Sequence, residues 1–371
     1  MTNKTKPSIA AERLSSLDAL RGFDMFWITG GGTLIAALAT WSGAGWMQVL
    51  NDQFHHAEWA GFNFEDLIFP LFMFISGVAI PFSLLAKQEK GVAKTMLAKK
   101  AVKRGLILVL LGMIYNGVFQ NGFENPRFPS VLGQIGLAYM FAALIVTYTK
   151  SFKTRLYWLG GILVGYSLIQ LLVPVPGVGA GVLTPEGCIN GYIDRLLIPG
   201  HLHGALYDPE GILCIVSATA ITLMGSVAGH ILRNVRKNDN QKVIRLLIIG
   251  GSSIILALLL SSFYPIIKKC WTSTFNLLAG GIGFILMAAF YWIIDAKGWK
   301  KWAFFFRIIG MNSIFVYLLW GFIDVGKVCS RFFGWTVLFG SIEPVIHTAL
   351  RITLVWMLYY YMYKKNIFLR V

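Results

Sequence analysis

The chain alternates between long apolar runs and short polar segments that carry most of its charged residues. A helix needs about 20 mostly apolar residues to cross a bilayer, and several of these runs reach that length. A transmembrane barrel would show short segments of alternating polarity instead. The pattern therefore predicts an all-α polytopic transmembrane helical bundle of about ten spans. The predicted spans are 17–39, 64–86, 105–121, 131–149, 156–173, 210–232, 246–263, 272–294, 303–323 and 342–363.

Composition supports a membrane protein. The chain is 56% hydrophobic and only 13% charged, whereas soluble domains carry roughly 25% charged residues. No polar segment between the spans is long enough to fold alone. We therefore expect residues 1–371 to form a single transmembrane domain.

The net charge of +16 is explained by membrane orientation. Most of the 33 lysines and arginines fall in the segments on the same side as the amino terminus, and cytoplasmic loops are enriched in these residues. The layout predicts that both termini are cytoplasmic and that the loop with His55 and His56 lies outside. Nucleic acid is not an expected partner. The predicted outer basic residues are Arg127, Arg195, Lys268, Lys269, Lys327 and Arg331.

A dense group of titratable residues precedes the second predicted span. His55, His56 and Glu58 are followed by Glu65 and Asp66, and the apolar run begins at once. Ionisable groups at the mouth of a span are costly and are functional candidates. The alternative is an interfacial loop whose histidines and acids simply face water. Many other acids also fall on the predicted outer side, which favours a polar pocket there.

Polar residues inside two other spans have both functional and structural interpretations. Asp18 and Arg21 are three apart on one helix face and can pair, which could serve membrane insertion alone. Asn312 and Ser313 lie in the middle of a predicted span, where hydrogen bonds between helices are the alternative to a site role. Gly30-Gly31-Gly32 weaken the first span and permit close approach.

The longest predicted outer loop, 174–209, is expected to be ordered, because it combines Gly and Pro with several large apolar side chains. Its His201-x-His203 pair lacks a third ligand at suitable spacing, so no metal is predicted. Cys188, Cys270 and Cys329 fall on the predicted outer side, and spacing leaves open whether any two form a disulfide. Oligomeric state is equally open, with a homodimer among the candidates.

Six blocks of the sequence resemble the heparan-α-glucosaminide N-acetyltransferase family, in the family's order. The resemblance implies a membrane enzyme that moves an acetyl group from cytosolic acetyl-CoA to the amine of a glucosamine-type sugar outside. It places the family's catalytic histidine at His56. The blocks are 13–22, 56–72, 127–132, 208–213, 269–275 and 310–317.

Histidine chemistry agrees with this resemblance. Near neutral pH, His56 can remove a proton from an ammonium or carry the acetyl group. Glu58 or Asp66 can orient the imidazole, and Asn312 can donate to the thioester oxyanion. Cations on the inner side can bind the CoA phosphates. The predicted donor-binding residues are Arg21, Lys103, Arg104, Asn312 and Ser313, and the predicted acceptor-binding residues are His55, Trp59, Asp208 and Glu210.

A transporter of sugars or amino sugars is the alternative function, since the same outer acids and aromatic residues could form a transport site. Transporters often contain internal repeats with paired broken helices, and none is evident here. For the enzyme we expect acetyl-CoA as co-substrate, no metal, an amino sugar or glycan as acceptor, and membrane lipids as neighbours. The expected location is a bacterial inner membrane.

Overall fold

The computed structural model describes residues 14–119 and 124–369, and this part of the chain is helical. Arg13, which opens the first sequence block, lies outside the described residues, as does the end of the predicted span 105–121. The helices are α1 (Ser15–Phe26), α2 (Gly32–Ser42), α3 (Gly45–Asp52), α4 (Phe64–Ile80), α5 (Ala86–Glu89), α6 (Lys94–Tyr115), α7 (Val131–Tyr148), α8 (Phe152–Leu172), α9 (Ile189–Leu197), α10 (Ile212–Arg233), α11 (Asp239–Leu260), α12 (Ser273–Phe290), α13 (Phe304–Met311), α14 (Ser313–Phe322), α15 (Val325–Phe333) and α16 (Glu343–Lys364).

The prediction of an all-helical membrane protein is confirmed. Within the described residues, eight helical stretches are long and apolar enough to cross a bilayer, and a ninth is formed if the bent pair α13–α14 counts as one span. The eight are Ser15–Ser42, Phe64–Glu89, Val131–Tyr148, Phe152–Leu172, Ile212–Arg233, Asp239–Leu260, Ser273–Ala296 and Val325–Lys364.

About ten spans were predicted, and the predicted span that is missing from these nine is the one covered by α6. This helix covers most of the predicted span 105–121, but it starts at Lys94 and its first half is basic. The 22 residues of α6 extend for roughly 33 Å, yet only the stretch from Gly105 onward is continuously apolar.

Successive long helices run in opposite directions, so their termini gather at two ends of the bundle. At the end where α1 begins, the Ser16 amide donates to Asp295 at 3.1 Å, and Arg233 forms an ion pair with Glu89. The opposite end holds the loop before α4, and we call it the His56 end. There the Gly61 amide donates to the Ile266 carbonyl at 2.9 Å.

Two helix pairs pack with their backbones in contact, because glycine faces the neighbouring helix. A Cβ placed on Gly77 of α4 would lie 1.9 Å from the Thr222 carbonyl oxygen of α10. A Cβ on Gly22 of α1 would lie 1.7 Å from the Phe306 carbonyl oxygen of α13. Any larger residue would push the helices apart, so these glycines fix the centre of the bundle.

The first span is interrupted at the glycine triplet. Residues Trp27–Gly31 form a π-helical turn, and Gly30 has φ 142°, a conformation that favours glycine. Beside this turn, the Trp27 ring lies 5.1 Å from the Phe54 ring and 5.3 Å from the Phe64 ring, centre to centre. The start of α4 is therefore level with the middle of the Ser15–Ser42 stretch, which sets the His56 loop deep in the bundle.

A second interruption separates α13 from α14, which meet at an angle of 70° around Asn312. The buried Asn312 amide donates to the Ile367 carbonyl at 3.1 Å and accepts from the Leu369 amide at 3.0 Å. Both polar atoms of the side chain hold the segment after α16. The partners lie in a non-helical segment and not in a neighbouring helix, and the predicted role of Asn312 in the site stays a prediction.

Candidate functional site

His56 and Asp66 form the centre of the candidate site. The His56 Nδ1 atom lies 2.9 Å from the Asp66 Oδ1 atom. The Asp66 carboxylate is almost fully buried, whereas 53% of the His56 side chain is exposed. The second carboxylate oxygen accepts from the Ala57 amide at 3.2 Å and from the Asn63 amide at 3.0 Å. The Asp66 carboxylate thus caps the first turn of α4, closes the loop and holds the imidazole at the same time.

Lys268 supplies a cation beside this pair. Its Nζ atom lies 3.1 Å from His56 Nδ1, 3.4 Å from His56 Nε2 and 3.4 Å from Asp66 Oδ1. Burial lowers the pKa of Lys268 below its ordinary value, although the charge of Asp66 works in the opposite direction. The sequence prediction counted Lys268 only as an outer basic residue. The signal available was a pair of lysines on the side where the positive-inside rule expects few.

Trp59 connects the His56 loop to the loop 174–209 and to Lys269. Its indole nitrogen donates to the Leu183 carbonyl at 2.6 Å, and its ring meets the Tyr207 ring edge to face at 4.9 Å. The Lys269 ammonium lies 5.9 Å from the centre of the Trp59 ring and donates to the Glu58 carbonyl oxygen. These contacts close one wall of the site.

Two of the family-like blocks, 127–132 and 208–213, meet in a buried ion cluster. Arg127 binds Asp208 with two hydrogen bonds, of 2.9 Å and 2.7 Å, and also donates to Glu210. Asp208 further accepts from the His203 and Glu210 amides, both at 3.0 Å. All strong acceptor positions of Asp208 are therefore used within the protein, and its carboxylate orders the loop before α10.

The two acids of this cluster differ in charge state. Burial works against the ionised form of Asp208, but the hydrogen bonds and charge of Arg127 keep its pKa below the ordinary value. Burial raises the pKa of Glu210 to about 7. One guanidinium can neutralise one carboxylate well. Arg127 donates two hydrogen bonds to Asp208 and one to Glu210, so its charge mainly stabilises ionised Asp208. Glu210 is consequently the group of the cluster that changes charge near neutral pH.

His55 and Glu58, which were also predicted to belong to the site, do not contact the His56 imidazole in the way that Asp66 does. His55 is exposed, and its Nε2 atom lies 3.4 Å from the Asn51 amide nitrogen. The Glu58 side chain is exposed, and its carbonyl oxygen is the group that makes a contact. The carboxylate beside the imidazole is therefore that of Asp66.

The residues predicted to bind the donor are held by different elements. Arg21 lies 3.5 Å from Asp18, as the spacing predicted. Lys103 is exposed on α6, and the Arg104 guanidinium stacks 4.2 Å from the centre of the Tyr139 ring. Ser313 starts α14 and faces a cavity in the centre of the bundle.

Asp24 of α1 is a further polar group in the interior. Its side chain is 1% exposed, and neither carboxylate oxygen has a hydrogen-bond partner among the described residues. Glu65, which precedes Asp66, is close enough to act on it electrostatically. Acidic groups therefore continue from the His56 cluster toward the middle of the bundle.

The part of the chain that the structure describes holds no group of three or more His, Cys, Asp or Glu side chains placed to bind a metal ion. His201 Nδ1 lies 2.6 Å from the Asn125 carbonyl oxygen. The four cysteines are buried free thiols.

Comparisons with known proteins agree with the sequence blocks. A family model described as a domain of unknown function (DUF5009) matches residues 13–157. The heparan-alpha-glucosaminide N-acetyltransferase of Homo sapiens is 29% identical, over 82% of this chain and 52% of the human protein. That of Mus musculus is 28% identical, over 98% of this chain and 61% of the mouse protein. The chain thus spans between half and two thirds of the length of these curated relatives, and the predicted resemblance is confirmed.

Proposed function

We propose that this integral membrane protein is an N-acetyltransferase. It transfers the acetyl group of acetyl-CoA to the amine of an amino sugar or of a glycan that ends in one. The named activity of the two relatives supports this proposal. The observation that carries it is the half-exposed His56 imidazole, held by buried Asp66 and flanked by Lys268.

The reaction needs a proton acceptor. The acceptor amine is an ammonium ion at neutral pH, and it must lose a proton before its nitrogen attacks the thioester carbonyl. When Asp66 accepts from His56 Nδ1–H, the lone pair that can take that proton is on Nε2. The new C–N bond forms as the C–S bond breaks, and CoA leaves as a thiolate that is then protonated.

His56 has a second possible role in the same transfer. Nε2 can itself attack the thioester and hold the acetyl group until the amine takes it. In either route negative charge develops on the carbonyl oxygen, and the Lys268 ammonium lies where it can stabilise that charge. The acetyl group and the imidazole occupy the same position in both routes.

The His56 end faces outward in this proposal, and the donor enters from the end where α1 begins. The basic residues of α6 support this orientation. Lys94, Lys99 and Lys100 lie at the end where α1 begins, and lysines are enriched on the cytoplasmic side of membrane proteins. We propose a bacterial inner membrane as the location, with the acceptor outside and acetyl-CoA in the cytoplasm.

Transfer of labelled acetyl groups tests the function directly. Purified protein in detergent is incubated with acetyl-labelled CoA and glucosamine, and labelled N-acetylglucosamine is measured. We expect product with the wild-type protein and little above background with His56→Ala. Transport would be favoured instead if the wild-type protein forms no N-acetylglucosamine and vesicles that contain it take up glucosamine.

A further inference from the structure

Arg351 places a positive charge inside the helical stretch Val325–Lys364, one of those long and apolar enough to cross a bilayer. Its Nε and Nη2 atoms are buried, and neither has a hydrogen-bond partner in the part of the chain that the structure describes. Arg351 also takes part in none of the ion pairs among those described residues. An ionisable side chain within a membrane span is costly, and it is a functional candidate whose partner must be identified.

The Arg351 guanidinium is positioned by an aromatic ring and by the interruption of the first span. Its central carbon lies 5.4 Å from the centre of the Trp320 ring on α14, within the range of a cation–π contact. A Cβ placed on Gly30 would lie 4.0 Å from the Nη2 atom. A guanidinium presents its N–H donors in a planar fork that matches the oxygens of a phosphate. The Nε and Nη2 donors of Arg351 are therefore suited to a phosphate group.

An apolar groove of about 380 Å³ lies between α14, α15 and α16. Its lining includes Leu319 of α14, Cys329 of α15, and Leu354, Val355 and Leu358 of α16. Leu358 is 40% exposed, so the groove opens on the lateral surface of the bundle, where lipid chains lie. The groove is therefore suited to an alkyl chain.

The guanidinium of Arg351 lies at one end of this groove. Val355 follows Arg351 by four residues, which places both on one face of α16. Trp320, against which the guanidinium packs, directly follows Leu319. The Cys329 thiol is close enough to Arg351 to interact with it electrostatically. Each of the three helices that form the groove thus brings a lining residue close to Arg351.

The polar and apolar parts of this region follow the order of groups in a lipid. His347 precedes Arg351 by one turn on the same face of α16, and Leu358 follows it by seven residues, about 10 Å along the helix axis. Helix α15 exposes Lys327 and Arg331, as a helix at the membrane surface does. A headgroup beside Arg351 and a chain that extends to Leu358 would run in the same order, from the membrane surface to its interior.

We propose that Arg351 binds the phosphate of an anionic glycerophospholipid, and that one acyl chain of this lipid lies in the groove between α14, α15 and α16. Charge complementarity supports this occupant, because a guanidinium stands at the end of an apolar groove. An uncharged alkyl chain would leave the guanidinium unpaired, and a free phosphate would leave the groove unfilled. The His56 cluster takes no part in this site, so the inference does not rest on the proposed function.

Lipid binding to the purified protein tests this site. Wild-type protein in detergent is titrated with phosphatidylglycerol and, separately, with phosphatidylcholine that has the same acyl chains. Bound lipid is counted by native mass spectrometry. We expect tighter binding of phosphatidylglycerol, because the choline group of the other lipid cancels the charge of its phosphate. Equal binding of the two lipids would overturn the proposal.

Arginine variants separate Arg351 from the general surface charge. Arg351→Gln removes the charge, and hydrogen bonds to a charged group change affinity by about 10–100-fold. We expect a loss of that size for phosphatidylglycerol, with Arg351→Lys between Arg351→Gln and the wild type. Arg331→Gln is the control, because it removes an exposed guanidinium from α15 and should keep the wild-type affinity. Equal losses in Arg351→Gln and Arg331→Gln would show a response to surface charge alone and would contradict the assignment of Arg351.

A change in the groove separates a lipid from a soluble phosphate. Leu358→Trp fills the groove and leaves Arg351 in place, so it should weaken the binding of phosphatidylglycerol. Leu256→Trp makes the same change at an exposed position on α11 and should leave this binding unchanged. Glycerol 3-phosphate, which has the phosphate but no acyl chain, should not displace the lipid. Displacement by glycerol 3-phosphate, or full lipid binding by Leu358→Trp, would indicate a soluble ligand and would rule out the lipid.

Discussion

Two adjacent histidines in the loop before α4 have different surroundings. His56 is bound to buried Asp66, whereas the exposed His55 ring lies beside the amide of Asn51. Neighbouring residues in a loop point in different directions, so only His56 shares the cluster with Lys268. The site chemistry is therefore expected to depend on the second histidine.

Alanine substitution of each histidine checks this assignment. General base catalysis contributes roughly 10²–10⁴-fold, so His56→Ala should lower the turnover of acetyl transfer by about that factor. CoA affinity should change little, because the imidazole contacts the reacting atoms and not the phosphates. His55→Ala serves as the matched control and should cost less than about 10-fold. A large loss confined to His55→Ala would move the catalytic role one residue upstream.

Lys268 is predicted to act through its charge. Lys268→Met keeps the length of the side chain but removes the ammonium, and loss of one charge-stabilising donor typically costs about 10²–10³-fold in turnover. The pH dependence of turnover should also change, because a cation beside His56 and Asp66 is lost. Lys269→Met removes the neighbouring ammonium, which binds the Glu58 carbonyl, and should have a smaller effect. Equal losses in the two variants, with unchanged pH profiles, would indicate a structural role for both.

The sequence revealed some of these residues and concealed others. His56 and Asp66 stand out because a histidine pair and carboxylates precede a membrane span, and their contact joins residues only ten apart. The contact of Lys268 with His56 joins residues 212 apart, which no local pattern encodes. Asp208 was expected to bind the acceptor, yet its oxygens are occupied by Arg127 and two amides.

At the scale of secondary-structure elements, the positions of the long helices followed from apolar run length, whereas their interruptions did not. The glycine triplet predicted weakness in the first span, and a π-helical turn ends there. Nothing in the sequence around Asn312 indicated a bend of 70° between α13 and α14. That bend is stabilised by hydrogen bonds from Asn312 to the segment after α16, which lies more than 50 residues away in the chain.

The Arg127–Asp208–Glu210 cluster joins the segment before α7 to the loop before α10, and its strength should depend on pH. Burial raises the pKa of Glu210 to about 7, above the value of 4.5 for a free side chain. A carboxyl group whose pKa is raised by folding contributes stability that is present below 4.5 and is lost as the pH rises through 7.

Thermal unfolding at several pH values tests this expectation. The melting temperature of wild-type protein should fall, relative to Glu210→Gln, as the pH rises from about 5 to about 8. Glu186→Gln is the control, because Glu186 is exposed in the same part of the chain. If the melting temperatures of wild-type protein and Glu210→Gln change in parallel with pH, Glu210 keeps one charge state over this range.

At the scale of the whole molecule, the alternation of the helices decides which groups share one side of the membrane. The loops before α4 and α12 meet at the His56 end, where the Gly61 amide contacts Ile266, and the segment after α12 returns to the start of α1, where the Ser16 amide contacts Asp295. Labelling from outside at any one position therefore fixes the side of the others. The charge distribution predicts which end that is.

Accessible cysteines at the two ends provide this measurement. Asp52 is exposed next to the His56 loop, and Lys100 is exposed on the basic half of α6. The four native cysteines are buried, so wild-type protein gives the background. In intact cells, Asp52→Cys should react with a membrane-impermeant maleimide, and Lys100→Cys should react only after the membrane is permeabilised. The reverse pattern would place His56 in the cytoplasm, on the same side as acetyl-CoA, and acetyl transfer would then not need to cross the membrane.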